Sequence, residues 1–443
     1  MPYIPHTEED GREMLAAIGV GSIDELFRDI PEELRLKEPL DLPPSMDEYH
    51  LQRHFFQLAA QNRSSANALW FLGAGLYDRY IPATVPAVVS RGEFLTSYTP
   101  YQPELSQGYL QAIYEFQTMV AHLYGMDMAN ASMYDGATAM AEAAIMAHGL
   151  NGRPKVCVSS AVHPVWRQVL RTYCWAVDVE VVEIPHSDGR TSDFSVVDDQ
   201  TACVIVQYPN FFGVIEDLGA ARDAARAAGA LFVVAADPTA MGLLPPPGEF
   251  DADVVVGEGQ PLGIPMGFGG PLLGLFAFKK QYHRSFPGRI VGRTQDKDGN
   301  PGFVMTLRTR EQDIRREKAT SNICTNSALM GLCATVYLAA LGKNGLRQVA
   351  ETTVRNTRYA IGRLTQAGAR LRFDGRVFGE FVLELDRDAE EVQRRLLDRG
   401  IMAGLPLGRF YPGMERCLLV AVTECRLKDE IDLYAEELKE VLA

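Results

Sequence analysis

ACVIVQYPNFFGVIEDLGAARDAARAAGALFVVAAD, residues 202–237, decides the fold. Two β-branched runs, ACVIVQY from Ala202 and LFVVAA from Leu231, flank an amphipathic helix at Leu218–Ala228, and the second run ends on Asp237. Apolar strands joined by a helix are the signature of a parallel crossover, in which both faces of the strand are covered. The pattern continues on either side with KVCVS from Lys155, a helix at His163–Tyr173, VEVVEI from Val179, DVVV from Asp253 and LLGLFAF from Leu272. Residues from about 130 to 280 therefore predict one doubly wound α/β domain with a mostly parallel sheet.

Outward from this block the character changes. The first sixty residues read as a helical arm laid over another surface, with start signals at Thr7 and capping boxes at Ser22 with Glu25 and Ser45 with Glu48, interrupted by Pro39, Pro43 and Pro44. SNICTNSALMGLCATVYLAALG, from Ser321, predicts a largely buried helix leading out of the large domain. Beyond about 345, FVLELD at Phe381 and CLLVAV at Cys417 alternate with helices, as in a smaller α+β domain. The expected division is an arm over 1–65, a large domain over 66–340 and a small domain over 341–443.

The chain has 443 residues, 47% of them hydrophobic and 23% charged, enough for two or three packed domains. A net charge of −14 argues against nucleic acid or an anionic membrane as partner. Seven scattered cysteines without C-x-x-C spacing form neither a disulfide framework nor a zinc site, which fits a reducing cytoplasm. The N-terminus lacks the pattern of a secretory signal, and no uninterrupted apolar run has the length of a membrane helix.

Directly after DVVV, Gly257-Glu-Gly259-Gln-Pro-Leu-Gly263 imitates a dinucleotide-binding turn. Such a turn needs a helix opening behind its glycines, and Pro261, Pro265 and the glycines of MGFGGP forbid one. The order of elements fits another cofactor: a helix opened by Asp135-Gly136-Ala137-Thr138, then His163, then Asp237, then the Gly-rich turn. Pyridoxal-phosphate enzymes of the aspartate-aminotransferase-like fold carry, in that order, phosphate-cradling amides, a ring-stacking aromatic, an acid for the pyridinium nitrogen and the imine-forming lysine. The lysine is missing, because no residue from Val156 to Phe278 is one. Lys279 and Lys280 follow a strand expected to run against its neighbours, so that its end points away. His163 and Asp237 read as structural remnants rather than working catalytic groups.

YTPYQPELSQGYLQAIYEFQTMVAHLYGMDMANASMYDGATAMAEA (Tyr98–Ala143), LGAGLYDRYIPATVP (Leu72–Pro86), PMGFGGP (Pro265–Pro271) and REQDIRREKATSNICT (Arg310–Thr325) resemble the glycine cleavage system P-protein family, nearly over the whole chain. The resemblance is to the N-terminal half, which occurs in some members as a separate subunit. Placing Ile264-Pro265 on the I-P-H-G-G-G-G-P turn of the lysine-bearing half puts Gln260 at the lysine position. The resemblance implies glycine decarboxylation by a hetero-oligomer, with two copies of each chain as the simplest form, and transfer of the aminomethyl group to the lipoyl arm of H-protein. It also implies that pyridoxal 5'-phosphate is held covalently by the homologous lysine-bearing subunit and not by this chain.

No catalytic residue or metal ligand is assigned to this chain. The loop with Ser97, Tyr98, Thr99, Tyr101 and Gln102, stiffened by Pro100 and Pro103, is expected to bind substrate at a shared site. The plainer reading is a rigid turn whose tyrosines pack between subunits. Thr320, Ser321 and Asn322 follow a basic run at 308–318 and are expected, by analogy with the fold, to reach the neighbouring subunit's cofactor phosphate. His50 and His54, one turn apart, lack further ligands and read as a surface or interface pair. Two rival functions stand beside this one: a scaffold that only stabilises the lysine-bearing chain and docks H-protein, and a stand-alone enzyme using Lys279 or Lys280.

Overall fold

The computed structural model describes residues 5–308, 311–319 and 321–443, which fall into two units, Met1–Asn62 and Arg63–Ala443. The first unit holds helices Glu8–Ile18 and Glu48–Ala59 with two 3-10 turns between them. Thr7 and Asp10 close a reciprocal cap on the first helix. The second helix is capped not by Ser45 but by Asp47, whose carboxylate accepts the His50 N–H. An aspartate directly before the first turn competes better for the free amides than a serine two residues upstream. None of these elements buries a residue. Leu34, Leu36, Phe55 and Phe56 are each more than 60% exposed.

In the second unit a seven-stranded sheet runs in the order Met128–Ala129, Gly274–Phe278, Val254–Glu258, Leu231–Ala236, Thr201–Tyr208, Lys155–Ser159, Glu180–Ile184. Its five central and outer strands are parallel, and Gly274–Phe278 is antiparallel to Val254–Glu258. Alternation along each strand divides the core. Val204 and Val206 join helices Gln107–Tyr124 and Leu218–Ala228 on one face, whereas Cys203 and Ile205 join helices Gly136–Asn151 and Pro164–Trp175 on the other. Each such valine or isoleucine contributes roughly 1.5–3 kcal/mol by leaving water, so the sheet is held from both sides.

The apolar run from Ser321 becomes helical only at Ala328, and the helix continues to Gln366 across a break at Gly342, whose φ is 57°. Residues 321–327 stay outside the helix because their backbone is tied elsewhere: the Cys324 and Thr325 N–H groups donate to the Tyr134 hydroxyl, while the Asn326 side chain donates to the Ala131 carbonyl. Ala328–Gln366 as a whole is long and apolar enough to cross a membrane by length and composition alone. Here Cys333, Ala334 and Tyr337 bury that apolar surface in the core of the sheet. A four-stranded antiparallel sheet follows, in the order Arg370–Leu371, Glu380–Glu384, Cys417–Ala421, Leu405–Pro406. The strand Leu69–Trp70 pairs in parallel with Ile401–Met402, so the segment after Trp70 is anchored at the C-terminal region before it returns to the large sheet.

Candidate active site

The carboxyl ends of the parallel strands bring His163, Asp237, Glu258 and Gln260 together, as a doubly wound sheet does at its crevice. His163 caps the helix Pro164–Trp175. Its Nδ1 accepts the Val165 N–H, and its Nε2 donates to the Ala74 carbonyl at 2.9 Å. One nitrogen accepting and the other donating is the neutral ring, and burial holds its pKa down at about 4. Its ring stacks on Trp166 with centroids 5.9 Å apart. Asp237 turns to Thr239, accepting from its N–H at 2.7 Å and its hydroxyl at 2.6 Å. Gln260, 2% exposed, accepts from the Tyr77 N–H and donates to the Tyr77 and Ile264 carbonyls. Both ends of its carboxamide are engaged.

Pyridoxal phosphate does not fit this crevice. The cavity bounded by Gly75, Tyr77, His163, Trp166, Asp237 and Glu258 measures about 40 Å³, space for no more than a few waters, and the cavity of about 380 Å³ that Gln260 lines is bounded by none of His163, Asp237 or Glu258. Two of the amides that open the helix Gly136–Asn151 are already taken. Glu258 accepts the Gly136 N–H at 2.9 Å, and Asp135 accepts that of Thr138 at 2.8 Å. The other Glu258 oxygen accepts from the N–H groups of Gln260 and Leu273. A Cβ on Gly136 would lie 2.3 Å from the Trp166 ring, so the indole packs directly on the first residue of that helix. Burial pushes the Glu258 pKa up to about 7 against those three N–H bonds.

Lys279 and Lys280 lie at the other end of the sheet, because Phe278 is opposite Val254 while Gly274 is opposite Glu258. Lys279 pairs with Asp251 at 2.6 Å and Asp253 at 3.0 Å. A stand-alone imine chemistry on this lysine has no access to the crevice.

The segment Gly73–Tyr80 seals the crevice from the side of the small sheet. Glu380 accepts from the Ala74 N–H at 2.6 Å and from the Tyr77 hydroxyl at 2.8 Å, and Arg79 pairs with Glu424 at 2.6 Å. Gly73 permits the approach, since a Cβ there would meet Ala421 at 2.4 Å. Burial raises the Glu380 pKa to about 7, above its ordinary value near 4.5. The folded chain thus keeps a proton that the unfolded chain releases. That contribution is complete below about pH 4.5 and is lost as the pH rises to about 7. Glu380→Gln, which cannot titrate, should therefore gain melting temperature relative to wild type between pH 5 and 7.5, at up to about 1.4 kcal/mol per pH unit. Thermal melts of both proteins across that window test this, and a constant difference would show an ordinary carboxylate.

Ser97, Tyr98, Thr99, Tyr101 and Gln102 line one hollow of about 780 Å³ together with Glu93, Phe94 and Leu105. Tyr98 is 82% exposed, and Arg289 and Arg308 both lie against the Tyr101 ring, at 5.0 and 5.7 Å. In the basic run, Gln312–Arg315 form an α turn and Arg316–Lys318 a 3-10 turn. Within it Arg308 pairs with Asp313, while Glu311 turns to Arg289. Thr320 lies outside the described residues. Ser321 is bound inward to the Glu142 carboxyl, whose pKa burial pushes up to about 7, and Asn322 reaches the Tyr173 hydroxyl from an exposed position. His50 pairs with Asp47 at 2.5 Å, and no group of three metal-ligating side chains occurs among the described residues.

Glu258, Trp166, Tyr77 and Arg289 escaped the reading of the sequence. A signal for the first was present, since an acid inside a Gly-rich turn facing a helix N-terminus is an internal anion in the place of a bound one. Tyr77 and Arg289 carry no local signal, because their partners lie 303 and 188 residues away.

The glycine cleavage system P-protein family matches residues 1–438. The probable glycine dehydrogenase (decarboxylating) subunit 1 of Bacillus pumilus is 52% identical over 440 residues, 98% of each chain. A crystal structure of a glycine decarboxylase (P-protein) of the glycine cleavage system, in inhibitor-bound form, superposes with a TM-score of 0.94 at 47% identity over 100% of both chains. A glutamate decarboxylase from Lactobacillus brevis, covering 93% of this chain and 95% of its own at 16% identity and a TM-score of 0.67, shares the fold alone. The architecture is that of the type I pyridoxal-phosphate-dependent enzymes, and the chain belongs to the glycine cleavage system P-protein family.

Proposed function

We propose that this chain is the lysine-less subunit of a two-subunit glycine decarboxylase, in which the homologous lysine-bearing chain holds pyridoxal phosphate. One observation carries this reading: the lysine position holds a fully bonded Gln260 beside a crevice that Glu258 and Trp166 have closed. The complex decarboxylates glycine and passes the aminomethyl group to the lipoyl arm of H-protein. This chain contributes the loop of Ser97, Tyr98, Thr99, Tyr101 and Gln102 to the shared site. Of the three residues expected to reach the partner's cofactor phosphate, Thr320 lies outside the described residues and Ser321 fastens the segment inward to Glu142, which leaves the exposed Asn322 carboxamide to make the contact. Seven unpaired thiols fit a reducing cytoplasm.

The arm supports an obligate partner. Its helices expose Phe55, Phe56 and Leu34, and a segment that buries none of its own apolar residues offers them to another surface. Two copies of each chain are the simplest closed assembly. Light scattering and glycine-dependent release of carbon dioxide test the proposal together. The isolated chain should show no turnover, and mixing it with the lysine-bearing homologue should give a hetero-oligomer and activity at once. A mixture that stays monomeric overturns it.

A further inference from the structure

Burying a guanidinium costs several kcal/mol even when it is paired, and an apolar side chain at the same place is often as stable or more so. A buried arginine that is poorly compensated therefore calls for a reason other than stability. Arg289 is 4% exposed and its acid Glu311 is 9% exposed, yet the pair is long, 3.4 Å from Nε to Oε2. The second oxygen of Glu311 has no hydrogen-bond partner among the described residues. The short bond of this arginine goes elsewhere. Its Nη2 donates to the Tyr101 hydroxyl at 2.7 Å, its Nη1 reaches the Thr99 hydroxyl at 3.4 Å, and its plane lies 5.0 Å from the Tyr101 ring centroid.

The mounting behind Arg289 is rigid. Its carbonyl accepts the Ala131 N–H at 2.8 Å, and two residues further on, Gln117 clamps Val291 on both N–H and carbonyl. In front of it the loop has few ties to the body. Gln107 holds the Pro103 carbonyl at 2.7 Å, and the bonds within the loop, such as Tyr101 N–H to the Thr99 carbonyl, fix its shape without fixing its place. We infer that Arg289 is a positioning residue for glycine decarboxylation: it holds Thr99 and Tyr101, and with them Tyr98 and Gln102, in the attitude the shared site requires. The inference rests on the reading of the loop proposed above. The planar fork is what the role needs, because lysine supplies the charge but cannot engage two hydroxyls and a ring face together.

The test uses the reconstituted complex with the lysine-bearing homologue. Arg289→Met leaves Glu311 buried and unpaired and is liable to loosen the fold, so the paired change Arg289→Met with Glu311→Met serves as the decisive variant. Its melting temperature and assembly should stay near wild type, while kcat falls at least about 30-fold and KM for glycine changes by less than about threefold. Arg289→Lys should lie between the two. Hydrogen–deuterium exchange in the double variant should rise across 96–106 and nowhere else, whereas a merely structural role would raise it broadly. Wild-type kcat in the double variant, or exchange rising evenly through the chain, overturns the inference. Tyr98→Phe and Gln102→Ala, measured beside it, separate the two levels. If they impair turnover and the Arg289 variants do not, the loop reading stands and the positioning role fails. If none impairs turnover, both fail.

Discussion

Tyr98→Phe or Gln102→Ala in the reconstituted complex should lower glycine turnover by roughly 30- to 1000-fold while leaving assembly and melting temperature unchanged. The size follows from what such a group does at a reacting centre. A hydrogen bond made chiefly in the transition state is worth about 2–4 kcal/mol, because it is preorganised and shielded from water. Stability should be nearly indifferent. Tyr98 is 82% exposed in the free chain, and surface substitutions of this kind usually cost less than about 0.5 kcal/mol. Steady-state kinetics and thermal melts on the same preparations distinguish the two roles. Turnover within about threefold of wild type, together with weakened association, would make the loop an interface element and this chain a scaffold for its partner.

The legible part of the molecule is the part whose signal is local. ACVIVQY and LFVVAA became the strands Thr201–Tyr208 and Leu231–Ala236, and Leu218–Ala228 became the helix between them, because period and composition decide elements of this type. The empty lysine position was legible for the same reason, as a single residue type missing from a defined interval. What closed the crevice was not. Tyr77 meets Glu380 and Arg79 meets Glu424 across more than three hundred residues, and no window of sequence contains both partners. Helix ends failed on a smaller scale. The run from Ser321 has the composition of a helix, yet its first seven residues stay outside it, because the Tyr134 hydroxyl takes the Cys324 and Thr325 N–H groups and the Asn326 side chain is held by the Ala131 carbonyl. Tertiary bonds outrank propensities worth at most about 1 kcal/mol per residue.

Restoring the lysine should not restore an enzyme. Gln260→Lys supplies the amine that imine chemistry demands, but the obstacle around it has three further parts. The crevice between His163, Asp237 and Glu258 measures only about 40 Å³, and the cavity of about 380 Å³ that Gln260 itself lines is bounded by none of those three residues; the Gly136 amide is held by Glu258, and the Trp166 ring packs against that helix start. The substitution also removes three hydrogen bonds, from the Tyr77 N–H and to the Tyr77 and Ile264 carbonyls, at a position 2% exposed. Unsatisfied buried groups cost about 1–3 kcal/mol each, and a buried ammonium adds to that unless it sheds its proton. The isolated variant should therefore melt well below wild type and take up no pyridoxal phosphate, with no visible absorbance beyond that of the free compound and no borohydride-stable adduct. Assembly with the lysine-bearing homologue at low temperature reports whether the variant has folded, so that failure to bind can be told from failure to fold. An adduct trapped at position 260 in a folded variant would show that the crevice opens, and that one missing side chain, rather than the packing of Glu258 and Trp166, keeps this chain from holding the cofactor itself.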